Sequence, residues 1–296
     1  MADYIIEYRT RTEYEKPVKQ GAYEFLVLPC ENKTQKIKHH RLIYSLDQPP
    51  FVAPNKFGFQ VFHFHSNHQS FEYFSLNLLV QVAKKLPPMD LMSPLSPEEE
   101  NTYLGDSSFR IDHHAFLLTT PLCFLQAADY SPDLDRKSYE PIGVYTVRLN
   151  AAVHRLITYV SGSTDTNTTA KAALHGKKGV CQDYTHIMLG ILRRQGIPAR
   201  YISGYLNMSE DRSDSQLHAW VEVYIPQLGW RGFDPANNLQ VNDHFIKIAH
   251  GRDYLDCQPI KGVLVTDGEH HTSYEVAVRD SAEYNWFVQE QQQQQQ

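Results

Sequence analysis

The sequence predicts an α+β protein of two units, a β-rich unit first and then a unit in which helices precede strands. Three observations carry that expectation. Short aromatic and β-branched runs, broken by Pro17, Gly21, Pro29, Pro49-Pro50 and Pro54-Asn55, fill the stretch from Tyr4 to about Leu86. A proline-rich, acidic stretch from Leu86 to Glu100 then interrupts the pattern. Beyond it, segments of helical period come before segments of alternating period. The length of 296 residues agrees with this division, because single hydrophobic cores rarely grow beyond ~250–300 residues.

In the first unit, Phe57 to Phe64 alternates, with aromatic residues on both faces, so a sandwich or a covered sheet fits best. Phe71 to Val82 reads as a further strand or strand pair. The expected division is a β-rich domain at 1–86, a linker at 87–112, a catalytic domain at 113–288 and a disordered glutamine-rich tail at 289–296. In the second unit, Leu149, Ala152, Val153, Leu156, Ile157 and Val160 mark one face of a helix within Val144 to Val160. A second helix is expected from near Cys181 to Gln195, closed by Arg193-Arg194, Gly196 and Pro198. Strands follow at Tyr201 to Leu206, Leu217 to Ile225, Trp230 to Asp234, Val263 to Thr266 and Tyr274 to Val278.

Composition narrows the function. A formal net charge of −6 argues against bulk association with nucleic acid or anionic membrane, which attract dense positive charge. Met1 to Lys16 has no signal-peptide pattern and no window is apolar enough to span a bilayer, so a cytoplasmic protein is expected. The four cysteines, Cys30, Cys123, Cys181 and Cys257, form no C-x-x-C pair and suggest neither a zinc ribbon nor a disulfide framework. His63-Phe64-His65-Ser66-Asn67-His68 lacks a carboxylate or cysteine to complete a metal site. Asp129 to Glu140 has a calcium-loop spacing, but Leu134 stands where the turn needs glycine. His113-His114 and His270-His271 read as surface pairs. No metal and no cofactor is expected.

Chemistry concentrates around Cys181. In Gly179-Val180-Cys181-Gln182-Asp183 a glycine stands just before the expected helix, which sets the sulfur over first-turn N–H groups that favour a thiolate. His218 follows 37 residues later on an alternating strand, on the less apolar face. Asp234 comes 16 residues after that, at the end of the next strand, where a carboxylate can fix the imidazole tautomer. Pairing Ile225 with Trp230 would carry Asp234 away from His218, whereas pairing Tyr224 with Trp230 makes them same-face diagonal neighbours. The second register, or a bulge of the same parity, is the expected one. Weaker candidates are Gln182, as an oxyanion donor or a helix cap, Asp183 beside the nucleophile, and Tyr205 and Trp220 as walls of an acyl pocket.

Four runs resemble the microbial transglutaminase-like superfamily in order and spacing. They are Gly179 to His186, Arg193 to Leu206, His218-Ala219-Trp220-Val221-Glu222-Val223, and Gly229-Trp230-Arg231-Gly232-Phe233-Asp234-Pro235. The looser motifs Tyr14 to Val18, Glu24 to Pro29, Gln35 and Asn55 to Gly58, together with Gly251-Arg252-Asp253-Tyr254, resemble the bacterial members. Ala236 departs from the threonine that often follows Asp-Pro, and Tyr184 from a common phenylalanine. The resemblance implies a papain-like core with Cys181 as nucleophile, His218 as base then acid and Asp234 as its partner. It also implies a cysteine protease or amidohydrolase that acts on a peptide or protein through a thioester. Transglutaminase-type transfer to an amine, a catalytically silent peptide-binding module and a homo-oligomer stay open.

Overall fold

The computed structural model describes residues 2–67, 70–207 and 216–281. Six strands come first: β1 (Ala2–Val18), β2 (Gln20–Phe25), β3 (Gln35–Tyr44), β4 (Phe51–Pro54), β5 (Gln60–Ser66) and β6 (Phe71–Lys84). Helices α1 (Pro97–Gly105), α2 (Ser107–Asp112), α3 (His114–Leu117) and α4 (Ile142–Leu156) follow. Then come β7 (Thr158–Tyr159), α5 (Ala170–Gly176), β8 (Lys178–Gly179) and α6 (Cys181–Arg194). The chain goes on through β9 (Ala199–Leu206), β10 (Gln216–Ile225), β11 (Gly229–Asp234), β12 (Leu239–Gln240), β13 (Phe245–Gly251), β14 (Ile260–Val265) and β15 (His270–Asp280).

Alternation in β1 buries Tyr4, Ile6, Tyr8, Thr10, Thr12 and Tyr14 on one side. That face belongs to a sheet ordered β15-β1-β6-β3, and a second sheet runs β14-β2-β5-β4. Aromatic rings fill the space between them: Tyr23 and Phe25 of one sheet stack on Phe74 of the other at 4.7 and 5.3 Å. The third sheet, β12-β11-β10-β9-β13, is antiparallel, and α6 packs against its β9 and β10, buried from Gln182 to Arg193. Gly196, at φ 71°, ends that helix in the left-handed conformation its sequence position suggests. Tyr224 lies opposite Trp230, the expected register.

Three segments depart from expectation. The division at 113–288 assigns β14 and β15 to the second unit, yet β15 pairs with β1 from Tyr4↔Asp280 to Tyr14↔His270, and β14 pairs with β2. The reason is topological: after β13 the chain returns to cover the open edges of both early sheets. The stretch 87–112, expected as a linker, holds α1 and α2. Ser96 and Glu99 form a reciprocal capping box, with Ser96 N donating to Glu99 Oε2 at 2.7 Å and Glu99 N to Ser96 Oγ at 3.3 Å. Pro97 sits at the first turn, where no N–H is needed. Its acidic run is likewise structural, since fully buried Glu100 accepts from Arg136 and from the Ile142 amide, both at 2.9 Å. The strand expected from Phe57 begins only at Gln60, because Asn55 Oδ1 gathers the Phe57 and Phe59 amides into a turn.

Gln35 joins the early sheets to the third. Its Nε2 donates to the carbonyls of Cys30 at 2.6 Å and Lys247 at 2.7 Å, while its Oε1 accepts from the Lys247 amide at 3.0 Å and Lys84 Nζ at 3.2 Å. Nearby, the Tyr205 hydroxyl donates to the Val27 carbonyl at 2.7 Å. Replacing buried Gln35 by alanine strands several polar groups at once, so Gln35→Ala is expected to cost about 2–4 kcal/mol. A fall in the urea midpoint at constant slope is the result that checks it.

Candidate active site

Short strand β8 and the extended residue Val180 deliver Cys181 to the first position of α6, where the helix still has unsatisfied amides. The turn is fixed by Asp183, whose buried Oδ2 accepts from the Val180 amide at 2.7 Å and the Thr164 hydroxyl at 2.6 Å. Burial pushes this carboxyl up, against those two hydrogen bonds. Gly179 leaves room for it: a Cβ there would stand 2.7 Å from Asp183 Cβ. Gln182 reaches toward the Thr166 carbonyl at 3.4 Å, so its side chain faces the preceding loop.

His218 stands on β10 opposite Gly204 of β9, and β11 brings Asp234 beside it. His218 Nε2 lies 2.8 Å from Asp234 Oδ2. The Cys181 sulfur lies close enough to the imidazole to act on its charge, so Cys181, His218 and Asp234 gather at one place. Burial opposes a charged imidazole, but the Asp234 carboxylate and the Cys181 sulfur outweigh it and push His218 up to about 10. Burial likewise opposes the Asp234 carboxylate, and His218 and Asn237 together hold it below the usual range.

Asp234 has no solvent exposure and is satisfied entirely by protein. Its Oδ1 accepts from the amides of Ala236 at 3.0 Å and Asn237 at 3.2 Å, and Asn237 Nδ2 donates to Oδ2 at 2.7 Å. Helix α4 holds this loop from outside: His154 Nδ1 lies 3.0 Å from the Ala236 carbonyl, and Asn150 Nδ2 donates to Asn238 Oδ1 at 3.2 Å. Trp220 and Phe245 flank the imidazole at ring distances of 6.4 and 6.2 Å.

His218 and Asp234 are thus hydrogen-bonded with Cys181 close by, whereas the two expected pocket walls do not face solvent. Tyr205 is fully buried with its hydroxyl committed to Val27, and Trp220 is buried over Gly204, so neither presents a wall to solvent. Sequence reasoning missed Asn237 and Tyr159. Tyr159 is about half exposed, pairs with Gly179 and stacks on Tyr184 at 6.4 Å. Burial, then the charges of Cys181, Tyr274 and Asp234, push its hydroxyl up to about 12. The i+3 spacing from Asp234 was the available signal for Asn237. His113, read as a surface residue, instead stacks on Phe109 at 4.1 Å. Cys123 and Cys257 are buried, with thiols pushed up by burial. Among the described residues no group of three or more His, Cys, Asp or Glu could hold a metal, and no helix is long and apolar enough to cross a membrane. His68 and the glutamine run lie outside the described residues.

Residues 130–235 match the family model of the transglutaminase-like superfamily. An uncharacterized protein of Mycobacterium leprae is 35% identical over 147 residues, 48% of this chain and 51% of that protein. The chain therefore spans about half the length of that relative. An uncharacterized protein of Mycobacterium bovis is 26% identical over 288 residues, covering 90% of this chain and 89% of that protein. A solved structure from Cytophaga hutchinsonii, described as that of a putative cysteine protease, is 20% identical with a TM-score of 0.74 over 94% of this chain and 90% of that one. The last match shows a shared fold.

Gly179→Ala is expected to move the start of α6, because the added methyl and the Asp183 carboxyl claim the same space. The check is a comparison of thermal midpoints and of Cys181 alkylation rates: both fall, by several degrees and several-fold.

Proposed function

Residues 130–235 form a transglutaminase-like domain, and on that premise we propose that the protein is a thiol-dependent hydrolase that cleaves amide or peptide bonds through Cys181, His218 and Asp234. The observation that supports the reading is the position of His218, bonded through Nε2 to buried Asp234 at 2.8 Å and close enough to Cys181 to feel its charge. The two four-stranded sheets are read as a β-sandwich accompanying a papain-like core.

The chemistry runs as follows. His218 holds a proton beside the Cys181 thiolate, and Asp234 stabilises the imidazolium. The thiolate attacks the substrate carbonyl carbon, and the Cys181 N–H, free of an intrahelical acceptor at the first helical position, stabilises the developing oxyanion. The C–N bond breaks as His218 gives its proton to the leaving amine, which leaves a thioester. Imidazole then takes a proton from water, the hydroxide attacks the thioester, and the acid and the thiolate are regenerated. The substrate we propose is a peptide or protein. Gln182 and Asp183 serve the site by shaping the loop and the helix start.

Cys181→Ala is expected to abolish hydrolysis of glutamine-containing peptides, and Asp234→Asn to lower kcat by at least about a thousandfold. Ammonia release and peptide mass, measured with and without a primary amine, separate hydrolysis from transfer. A product carrying the amine in place of water would overturn the hydrolase reading, and no turnover together with an unreactive Cys181 would overturn enzymatic function. The folded-state pKa of His218 lies above its unfolded value, so its stabilising contribution is whole below about 6.5 and is lost as pH rises through about 10. Amide hydrolysis should decline over the same rise, because the proton needed by the leaving amine is gone. A pH–rate profile of kcat checks this.

A further inference from the structure

Asp234 is the least adjustable member of the line, and the protein spends an unusual number of donors on it. One oxygen, Oδ2, takes both His218 Nε2 at 2.8 Å and Asn237 Nδ2 at 2.7 Å, while Oδ1 takes two backbone amides. The backbone amides fix where the carboxyl group lies, but they approach only Oδ1. The Asn237 amide is the second donor on the oxygen that faces the histidine, so it fixes the rotation that points Oδ2 at His218. We propose that Asn237 is a positioning residue for the reaction, acting through Asp234 to set the orientation of His218. The proposal rests on the reading of the triad as catalytic only for its effect on rate; the geometry it specifies is independent of turnover.

Charge chemistry explains why an amide is needed. A carboxylate at 237 would repel Asp234, whose own charge has no solvent exposure, and an alkyl group would remove one of the two donors to Oδ2. The amide supplies a donor with no charge of its own. The titratable groups facing this pair are Cys181 from α6, His218 from β10 and Tyr159 from β7, and His154 from α4 meets the loop through its carbonyls.

Two variants test the proposal. Asn237→Ala removes the donor, and Asn150→Ala removes the bond by which α4 holds the same loop while leaving Asp234 its own partners. The first readout is the nitrogen chemical shift of the His218 imidazole followed against pH. In Asn237→Ala the midpoint is expected to fall by at least about one pH unit, a tenfold change in proton affinity, and in Asn150→Ala to stay within about 0.3. The second readout is kcat on a peptide amide, expected to fall about ten- to a hundredfold in Asn237→Ala with KM within about twofold. An unmoved His218 midpoint in Asn237→Ala, or an equal shift in Asn150→Ala, would overturn the positioning role. Should the midpoint fall while the parent protein shows neither turnover nor selective Cys181 alkylation, the positioning holds and the hydrolase reading fails instead.

Discussion

Everything at the site depends on keeping a carboxylate ionised where water does not reach. Taking a carboxylate out of water costs several kcal/mol unless it is fully hydrogen-bonded, and Asp234 meets that requirement with two amides, one side-chain amide and one imidazole. Each donor constrains a separate element. The amides require the tight turn after β11, the imidazole requires the β10–β11 register, and the turn is in turn held by α4. His218 then has one oriented nitrogen left for the sulfur, and the sulfur is placed by a helix whose start is set by Gly179 and Asp183. A local change at any of these positions is therefore felt at the thiol.

A second buried polar cluster ties the early sheets to the site's own sheet. Glu222 lies on β10, four residues past His218, and accepts from Lys247 Nζ at 2.8 Å and Arg200 Nε at 2.6 Å. Burial opposes its charge, but the two cations prevail and hold it down to about 2. Lys247 is also the residue whose backbone Gln35 brackets, and Lys84 joins through the same glutamine, its ammonium lowered to about 8 by burial. The strand that carries His218 is thus fixed at one end by Asp234 and in its middle by charges shared with the early sheets. This makes those sheets part of the support of the histidine.

The parts of this arrangement that were legible in the sequence are those encoded locally. A glycine before a helical period marks Cys181, strand alternation places His218, and the parity of the β10–β11 hairpin decides that Asp234 can reach it. What escaped is encoded between distant segments. The alternation of Tyr274 to Val278 says strand but not which edge it joins, so the sequence alone places it in the second unit although it pairs with β1. A proline-rich acidic stretch reads as a linker until the reciprocal bonds of Ser96 and Glu99 are seen. Tyr205 and Trp220 have residue types suited to a pocket, and only packing against Val27 and Gly204 shows that they face inward.

The pairing of β1 with β15 has a consequence for biosynthesis. Thr12 and Thr272 share a hydrogen bond across 260 residues of chain, and at synthesis rates of about 5–20 residues per second the second partner follows the first by on the order of tens of seconds. During that interval β1 can pair with β6 on one side while its other edge, seventeen residues long, lies open. That edge is a template for any nascent neighbour in the same polysome. Its Arg9, Arg11 and Glu13 side chains, charged and largely exposed, act as gatekeepers that make such misregistered pairing unfavourable until β15 emerges.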